Sequence, residues 1–142
     1  MFPFEKTTPV FAPVLARMHA LCFEKAWTEQ AFSSLLCLPT TQGFLNCEGF
    51  ILCSVCHDEA EILTLGVLPA ARRKKVGTRL LECLCLSLKE QKITAVFLDV
   101  DAQNEAALAL YQKSGFAQVG VRKDYYTVGG QKHDALLFRK NL

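Results

Sequence analysis

Four adjacent cationic side chains stand directly before a glycine in the stretch RRKKVGTRLL, which runs from Arg72 to Leu81. A strand-like segment, ILTLGVL, precedes them, and a helix-like run begins near Gly77. The unpaired N–H groups in a helix's first turn and the positive end of its dipole attract anions, and a glycine there lets the backbone approach closely. The stretch therefore predicts a site for a pyrophosphate or a multiply phosphorylated ligand. The residues expected to surround this anion are Arg72, Arg73, Lys74, Lys75, Val76, Gly77 and Thr78.

The same basic cluster has two other interpretations. For a charge run alone, a solvated basic loop is the more common meaning, and nucleic acid is the competing ligand. The net charge of the chain is only +2, and neither a known DNA-binding motif nor interleaved aromatic residues accompany the cluster. The order of strand, loop and helix therefore favours a small anion, and we expect no direct nucleic-acid role.

The elements that would position this loop alternate between helices and strands. A helix is predicted to begin at Thr8 and Pro9, an N-cap followed by a proline at the first helical position, and a second short helix at Thr28. Three antiparallel strands are predicted next, in GFLN, GFILCSVCH and AEILTLGVL. An apolar stripe then marks the helix after the basic loop, and its members are Val76, Leu80, Leu81, Leu84 and Leu88.

The second half of the chain continues this alternation. ITAVFLDV is an apolar strand rich in branched residues, and a helix is predicted from about Asn104 to Ser114. Two final strands, FAQVGVRKDYYTV and KHDALLFRK, are joined by Gly129 and Gly130, which is a typical hairpin turn. The order predicts a mixed α/β fold with the elements βααβββαβαββ.

Length and composition are consistent with one soluble domain. The 142 residues suffice for one hydrophobic core, so a single domain spanning residues 1–142 is expected. No apolar run reaches the roughly 18 residues that cross a bilayer, and the first residues lack a secretion signal. We therefore expect a cytoplasmic protein without membrane contact, in which the seven cysteines remain thiols.

The segment CSVCH, Cys53 to His57, has the spacing of a haem-attachment motif. The segment is predicted to be a strand, however, on which Cys53 and Cys56 point to opposite faces. The three histidines are scattered along the chain, and Cys83 and Cys85 do not face one way on a helix. No haem or metal site is therefore predicted.

Two stretches resemble one superfamily. LTLGVLPAARRKKVGTRLL is similar to the acetyl-CoA pyrophosphate loop of GCN5-related N-acetyltransferases (GNAT), whose pattern is Gln/Arg-x-x-Gly-x-Gly/Ala. Arg72 and Gly77 match this pattern, and Lys75 stands where its first glycine is usual. FLDVDAQNEAALALYQKSGF resembles the superfamily's asparagine followed by an alanine-rich helix, Leu-Tyr and a Gly-Phe turn. The resemblance implies a single GNAT domain, in which about four helices flank a central, mostly antiparallel twisted sheet of six to seven strands.

The resemblance extends over nearly the whole chain through HALCFEKAWTEQAF and VRKDYYTVGGQKHDALLF. It points to the RimI-type ribosomal-protein-alanine N-acetyltransferases, which share Phe-Pro-Trp-Ser near the first helices and Arg-x-x-Tyr-Tyr near the end. Ala26 replaces the proline, and the residues that fit are Phe23, Trp27, Arg122, Tyr125 and Tyr126. This branch implies direct transfer of acetyl from acetyl-CoA, without a metal, to the N-terminal α-amine of an alanine on a small-subunit ribosomal protein.

The resemblance also implies two catalytic roles. Asp99 occupies the position of the family's glutamate base, where a side chain one methylene shorter suggests a bridging water, and Asp101 is a rival for that role. Tyr111 occupies the general-acid position, although a tyrosine on an apolar helix face is more often part of the core. The two catalytic residues predicted are therefore Asp99 and Tyr111.

Further residues are implied for the cofactor and the substrate. Asn104 would contact acetyl-CoA, cap the following helix, or both. Trp27, Tyr125 and Tyr126 would line the peptide groove, with core packing as the simple alternative. A bulge that a glycine permits would expose backbone groups to the pantetheine arm. The residues predicted to hold the arm in this way are Leu65, Gly66 and Val67.

Three other functions stay open at this point. The chain is an acetyltransferase for lysine or for a small-molecule amine, a non-catalytic acetyl-CoA-binding module, or a basic module that binds ribosomes or RNA. An N-terminal α-amine, with a pKa of about 7.7–8.0, is already partly neutral at pH 7, whereas a lysine near 10.4 is almost wholly protonated. A weak base such as an aspartate therefore suits an N-terminus better. A monomer is expected, because no heptad pattern or long exposed apolar stripe demands a partner.

Overall fold

The computed structural model describes residues 3–142, in which seven strands, four α-helices and two short 3-10 helices follow the predicted order. The strands are β1 (Glu5–Lys6), β2 (Thr41–Leu45), β3 (Gly49–Cys56), β4 (Glu59–Val67), β5 (Ala95–Asp101), β6 (Ala117–Val128) and β7 (Gln131–Asn141). The α-helices are α1 (Ala12–Cys22), α2 (Glu29–Leu36), α3 (Val76–Glu90) and α4 (Glu105–Lys113). The 3-10 helices span Pro9–Phe11 and Pro69–Ala71. No helix in this part of the chain is long and apolar enough to cross a bilayer.

All seven strands form one sheet, in the order β1-β2-β3-β4-β5-β7-β6. Every neighbouring pair is antiparallel except β4 and β5, which are parallel. These two strands pair only where Glu59, Ala60 and Glu61 face residues 95–97. The rest of β4 has no partner on that side, so a gap opens in the middle of the sheet. The predicted mixed α/β class and the mostly antiparallel sheet are confirmed.

The two faces of the sheet carry separate hydrophobic cores. On one face α3 packs through the predicted stripe, in which Leu80, Leu84 and Leu88 are fully buried. On the other face α1 and α2 pack on β2 and β3 around Phe32 and Phe50. Each such side chain contributes roughly 1.5–3 kcal/mol by leaving water. The first core holds the N-terminus of α3 next to the last residues of β4, where the anion site was predicted.

The first helix begins later than predicted. Pro9 opens a 3-10 turn, closed by an N–H of Ala12 on the Pro9 carbonyl, and α1 itself begins at Ala12. An α-helix that began at Pro9 would need an N–H at residue 13 to bond to the Pro9 carbonyl, and Pro13 has none. Thr8 is extended and makes no side-chain cap. The predicted start of the second helix at Thr28 is confirmed, and Thr28 caps it, since its Oγ1 accepts a hydrogen bond from the Ala31 N–H at 3.1 Å.

The irregularity predicted at Gly66 lies three residues earlier. Leu52 pairs with Thr64 and Cys53 with Ile62, which leaves Leu63 as the extra residue of a bulge in β4. Gly66 is required by close packing instead, because a Cβ there would lie 2.5 Å and 2.7 Å from two ring atoms of Phe50. The glycine therefore makes room for a fully buried ring on the neighbouring strand.

The last two strands form the predicted hairpin at one edge of the sheet. Gly129 and Gly130 both have positive φ, 58° and 79°, as a type I′ turn requires. The pairing of β6 with β7 shifts twice, between Gln118 and Gly120 and between Arg122 and Tyr126. The second shift turns the chain beside the gap between β4 and β5, so it decides how the predicted aromatic pair is presented.

The cysteines have the burial expected of alternating strand positions. Cys53 is fully buried and burial raises its pKa to about 12, whereas Cys56, three residues on, is exposed. All seven cysteines are free thiols. Residues 3–142 contain no group of three His, Cys, Asp or Glu side chains arranged to hold a metal ion.

Candidate active site

A cleft of about 340 Å³ occupies the gap between the diverging parts of β4 and β5. It brings together residues from β4, β5, α4 and its N-cap, and β6, together with Phe23 beyond the end of α1. The predicted site residues among those that line it are Leu65, Asp99, Asn104, Tyr111 and Tyr126. Five positions, from Leu65 to Tyr126 in the sequence, therefore share one cleft.

Asp99 lies between this cleft and a neighbouring groove. The groove, of about 280 Å³, is lined by side chains of the open sheet face that include Glu61, Phe97 and Asp99. The side chain of Asp99 is 21% exposed, and its Oδ1 is 4.0 Å from the Nε of Arg122. At that distance the pair is held loosely, so the carboxylate oxygens are accessible from the cleft.

Asp101, the rival carboxylate, has both oxygens occupied. Its Oδ1 accepts a hydrogen bond from the Gln103 N–H at 2.9 Å, and its Oδ2 is 2.8 Å from Nδ1 of His133. Slight desolvation acts to raise the pKa of Asp101, but these hydrogen bonds and the charge of His133 outweigh it and lower the pKa below its ordinary value. Asp101 is thus engaged as a structural acceptor, and Asp99 is the carboxylate with accessible oxygens.

Tyr111 is presented by the buried face of α4. The side chain is 8% exposed and packs edge to face on Phe116, with ring centroids 5.7 Å apart. Burial, followed by the nearby Tyr126, raises the pKa of Tyr111 to about 12. The phenol is therefore a neutral O–H donor throughout the physiological range. Because the residue lines the cleft and its hydroxyl has no hydrogen-bond partner in residues 3–142, the O–H is available to a ligand.

The predicted anion loop has a backbone suited to bind an anion. Arg73 and Lys75 both adopt left-handed backbone, with φ of 66° and 61°. Within the described chain, the N–H groups of residues 73–78 donate to no protein acceptor. Adjacent N–H groups in such alternating conformations form a concave anion site, and here the site lies at the N-terminus of a 15-residue helix.

Two residues fix this loop to the rest of the fold. The Nε–H of Arg72 donates to the Val67 carbonyl at 3.2 Å, which ties the loop to the last residue of β4. At Gly77 an added Cβ would lie 3.1 Å from Leu110, so this glycine allows α3 to approach α4 closely. The loop and the helix that carries Tyr111 are thus held in fixed relation to one another.

The three predicted substrate residues lie in different environments. Tyr126 lines the cleft, and Tyr125 beside it is 51% exposed with the Arg122 guanidinium 5.2 Å from its ring centroid. Trp27 lies outside the residues that line the cleft and stacks on His19, with centroids 4.9 Å apart. The structure therefore brings one of the three into the cleft and places a second at its edge.

Sequence reasoning missed several residues of this region. Phe23, Thr64 and Ala107 line the cleft, and His19 supports it from below through a 3.3 Å contact of its Nε2 with the Thr64 hydroxyl. A histidine or threonine on the apolar face of an element has no distinctive local pattern. Only the long-range contact between α1 and β4 makes these residues neighbours.

The fold, the cleft and the loop define an acyltransferase of a known family. Residues 14–116 match the model of the Acetyltransferase (GNAT) family, and the chain belongs to this family. It is an acetyl-CoA-dependent N-acetyltransferase, as the family's members and the curated relatives are.

The particular relatives are N-terminal acetyltransferases. The chain is 31% identical over 121 residues to the [ribosomal protein bS18]-alanine N-acetyltransferase of Escherichia coli K12, which covers 78% of each chain. It is 42% identical over 83 residues to the N-alpha-acetyltransferase RimI of Mycobacterium tuberculosis, covering 58% of this chain and 49% of that protein. The crystal structure of the E. coli ribosomal-protein-S18-alanine N-acetyltransferase superimposes with a TM-score of 0.91 at 25% identity, covering 99% of this chain and 94% of the other. The predicted RimI-type resemblance is therefore confirmed.

Proposed function

We propose that this enzyme transfers the acetyl group of acetyl-CoA to the N-terminal α-amine of a protein, with an alanine at the N-terminus of a small-subunit ribosomal protein as its substrate. The observation that carries the proposal is the single cleft in which Asp99, Tyr111 and Asn104 meet beside the loop at the start of α3. The similarity to enzymes named for alanine acetylation of bS18 supports the choice of amine. The protein would act as a monomer in the cytoplasm.

The loop and the strand before it would bind the cosubstrate. The unpaired N–H groups of residues 73–78 fit the oxygens of a diphosphate, and the surrounding lysines and arginines add charge. Backbone groups of Leu65, Gly66 and Val67, on the side of β4 that β5 leaves unpaired, would hold the arm that leads into the cleft. Acetyl-CoA supplies an activated thioester carbonyl at the end of that arm. Asn104 would contact it while its Oδ1 accepts the Ala107 N–H at 3.2 Å, so one side chain serves as helix cap and as ligand.

Asp99 would act as the proton acceptor for the amine. Its carboxylate oxygens face the cleft and carry no close hydrogen bond from the described residues, so an amine or a bridging water can reach them. The nitrogen forms its bond to the acetyl carbon as its proton passes to Asp99. General bases of this kind contribute about 10²–10⁴-fold in rate.

Tyr111 would donate the proton that the departing thiolate needs. As the carbon–sulfur bond breaks, negative charge develops on sulfur, and the neutral phenol supplies its proton to that atom. The raised pKa keeps the proton on Tyr111 until the thiolate forms. Tyr126 and Tyr125 would line the path of the peptide on the open sheet face, and Trp27 would shape that groove from behind His19.

Mass spectrometry of an alanine-initiated peptide incubated with acetyl-CoA tests the proposal. We expect acetylation at the α-amine by the wild type, and a loss of about 10²-fold or more in Asp99→Asn, which is isosteric but accepts no proton. Glu82→Gln is the matched control, because it neutralises an exposed carboxylate on α3 that does not line the cleft. Equal losses in both variants would remove the base role from Asp99.

A second peptide separates the alternative functions. When the α-amine is blocked and one lysine is free, the proposal expects no acetylation. Acetylation only at that lysine would make the enzyme a lysine acetyltransferase. Binding of acetyl-CoA in calorimetry without transfer to any amine would instead indicate a binding module.

A further inference from the structure

A carboxylate–imidazole pair lies beside the cleft on the same face of the sheet as Asp99. His133 Nδ1 is 2.8 Å from Asp101 Oδ2, and the His133 side chain is 11% exposed. Asp101 faces Ala135 across β5 and β7, and His133 faces Tyr126 across β7 and β6. Since residues two apart on a strand share a face, the pair, Asp99 and Tyr126 all lie on the open face.

Asp101 fixes which nitrogen of His133 carries the proton. An ionised carboxylate only accepts hydrogen bonds, so Nδ1 of His133 must be the donor to Asp101. In a neutral imidazole the lone pair then lies on Nε2. No hydrogen bond to this Nε2 comes from any residue of the described chain. The pair is thus an oriented imidazole with an unpaired basic nitrogen, on a side chain that is 11% exposed.

The reaction leaves one proton without an assigned acceptor. An N-terminal ammonium loses one proton before its nitrogen attacks and a second as the carbon–nitrogen bond forms. The carbon–sulfur bond breaks, and the sulfur regains only one proton. Each turnover of an ammonium therefore releases one proton to solvent. The first proton comes from an ammonium, and an imidazole, the side chain that exchanges protons near neutral pH, is a better acceptor for it than a carboxylate.

We propose that His133 Nε2 accepts, through water, the first proton of the substrate ammonium and releases it to solvent. Asp99 accepts the second proton as the carbon–nitrogen bond forms, and returns it through water to Tyr111 after that phenol has protonated the sulfur. Asp101 orients His133 and is a positioning residue. The inference rests on the proposed function, since it assigns a role within the acetylation of an amine.

The surroundings of the pair suit a cationic substrate. The titratable or charged residues nearest His133 on the three strands are Asp99, Asp101, Arg122, Lys123, Asp124, Tyr125, Tyr126, Lys132 and Asp134. Among them, those that share the open face with His133 include two carboxylates, Asp99 and Asp101, and one cation, Arg122, so this face attracts an ammonium rather than repelling it. The Arg122 guanidinium lies over the Tyr125 ring, 5.2 Å from its centroid, and its Nε is 4.0 Å from Asp99 Oδ1.

His133→Asn separates the structural role from the proton transfer. The asparagine amide nitrogen replaces Nδ1 and keeps a donor to Asp101, but the variant has no atom in place of Nε2. We expect kcat/KM for the alanine-initiated peptide to fall about 10-fold or more near pH 6.5. It should approach the wild-type value above pH 8.5, where the amine is already neutral. Added imidazole should restore part of the lost rate in His133→Asn and none in Asp99→Asn.

Two results would overturn the inference. Activity equal to that of the wild type at every pH would show that Nε2 carries no proton, and an equal loss at every pH without rescue would show a structural contact only. A third measurement needs no substrate: nitrogen NMR of the imidazole at pH 8 should find the proton on Nδ1. A proton on Nε2 would refute the inference even if acetylation is confirmed, whereas an inactive wild type would refute the proposed function alone.

Discussion

Lys75 adopts a backbone conformation that normally favours glycine. Its φ of 61° lies in the left-handed region, which glycine adopts without cost and which a side chain disfavours. The GNAT loop pattern has a glycine at this place, and the backbone of this chain explains the preference. The lysine keeps the same conformation while adding a cation at the mouth of the predicted anion site.

Lys75→Gly should stabilise the protein. Relief of the left-handed backbone outweighs the added chain entropy of glycine, so we expect the free energy of unfolding to rise by roughly 0.5–1 kcal/mol. Lys74→Gly removes the same charge at a position without positive φ and should lower it by roughly 0.5–1 kcal/mol. Thermal unfolding of both variants measures the difference. Equal changes in the two melting temperatures would show that charge, not backbone strain, governs this loop.

At the residue scale, the resemblance to the GNAT family selected Asp99, Tyr111 and Asn104, and one cleft brings all three together. Their chemical roles stay predictions. The contact between His133 and Asp101 joins residues 32 apart, and the two left-handed residues depend on how the loop closes. Neither follows from a local pattern, because both are set by which strands become neighbours.

At the scale of elements, β4 holds the two halves of the site together. Its first part pairs with β5, its bulge at Leu63 marks where the pairing with β5 has ended, and its last residues lead into the anion loop. Gly66 is the point at which this strand must accommodate Phe50 of β3. The packing of one ring therefore sets the position of the backbone that is proposed to hold the pantetheine arm.

Gly66→Ala should disturb this strand strongly. The new methyl would overlap the buried Phe50 ring, and overpacking of this kind costs about 1–3 kcal/mol. Gly120→Ala is the matched control, since its Cβ would meet nothing closer than 3.7 Å and its φ is not positive. We expect Gly120→Ala to be neutral or slightly stabilising in chemical denaturation. The double variant with Gly66→Ala and Phe50→Leu should lose less stability than the sum of the two single losses, because the smaller side chain makes room for the methyl. A loss equal to that sum would mean that the Phe50 ring does not cause the effect of Gly66→Ala.

Element boundaries divide into those that local rules explain and those that they do not. The late start of α1 follows from Pro13, which has no N–H to donate. This boundary can therefore be predicted from the sequence alone. The bulge at Leu63 has no such signal, because register in a sheet depends on the partner strand. Gly66 was interpreted as a sign of a strand irregularity, but close packing against Phe50 explains why this residue is a glycine.

At the scale of the whole molecule, a buried histidine links the two layers of the fold. Nδ1 of His19, in α1, accepts a hydrogen bond from the backbone N–H of Trp27 at 3.1 Å. The imidazole also stacks on the rings of Phe23 and Trp27, with centroid distances of 4.4 Å and 4.9 Å. Because Nδ1 is an acceptor, the neutral ring carries its proton on Nε2, which meets the Thr64 hydroxyl of β4. Burial lowers the pKa of His19 below its ordinary value. Protonation would place a charge in this buried site and remove the acceptor of the Trp27 N–H.

This arrangement predicts a loss of stability in mild acid. A histidine with a lowered pKa in the folded state is protonated first in the unfolded chain, so the unfolded state binds more protons as the pH falls through the ordinary value of 6.5. Stability should therefore be highest above pH 7 and decline below it, with a slope of at most about 1.4 kcal/mol per pH unit for this one group. Asp101, whose pKa is also lowered, adds a separate loss only as the pH approaches 3.8 and below.

Urea unfolding between pH 8 and pH 5 measures the first of these losses, and titration of the His19 ring signals by NMR assigns it. His57→Asn removes an exposed histidine at a turn with φ of 56°, a conformation that asparagine tolerates, so it should leave the slope unchanged. A flat stability profile from pH 8 to pH 5, or a His19 midpoint at or above 6.5, would contradict the prediction. Because α1 contacts the cleft through Thr64, the same protonation should loosen the wall of the active site before the molecule unfolds, and activity should fall in acid ahead of stability.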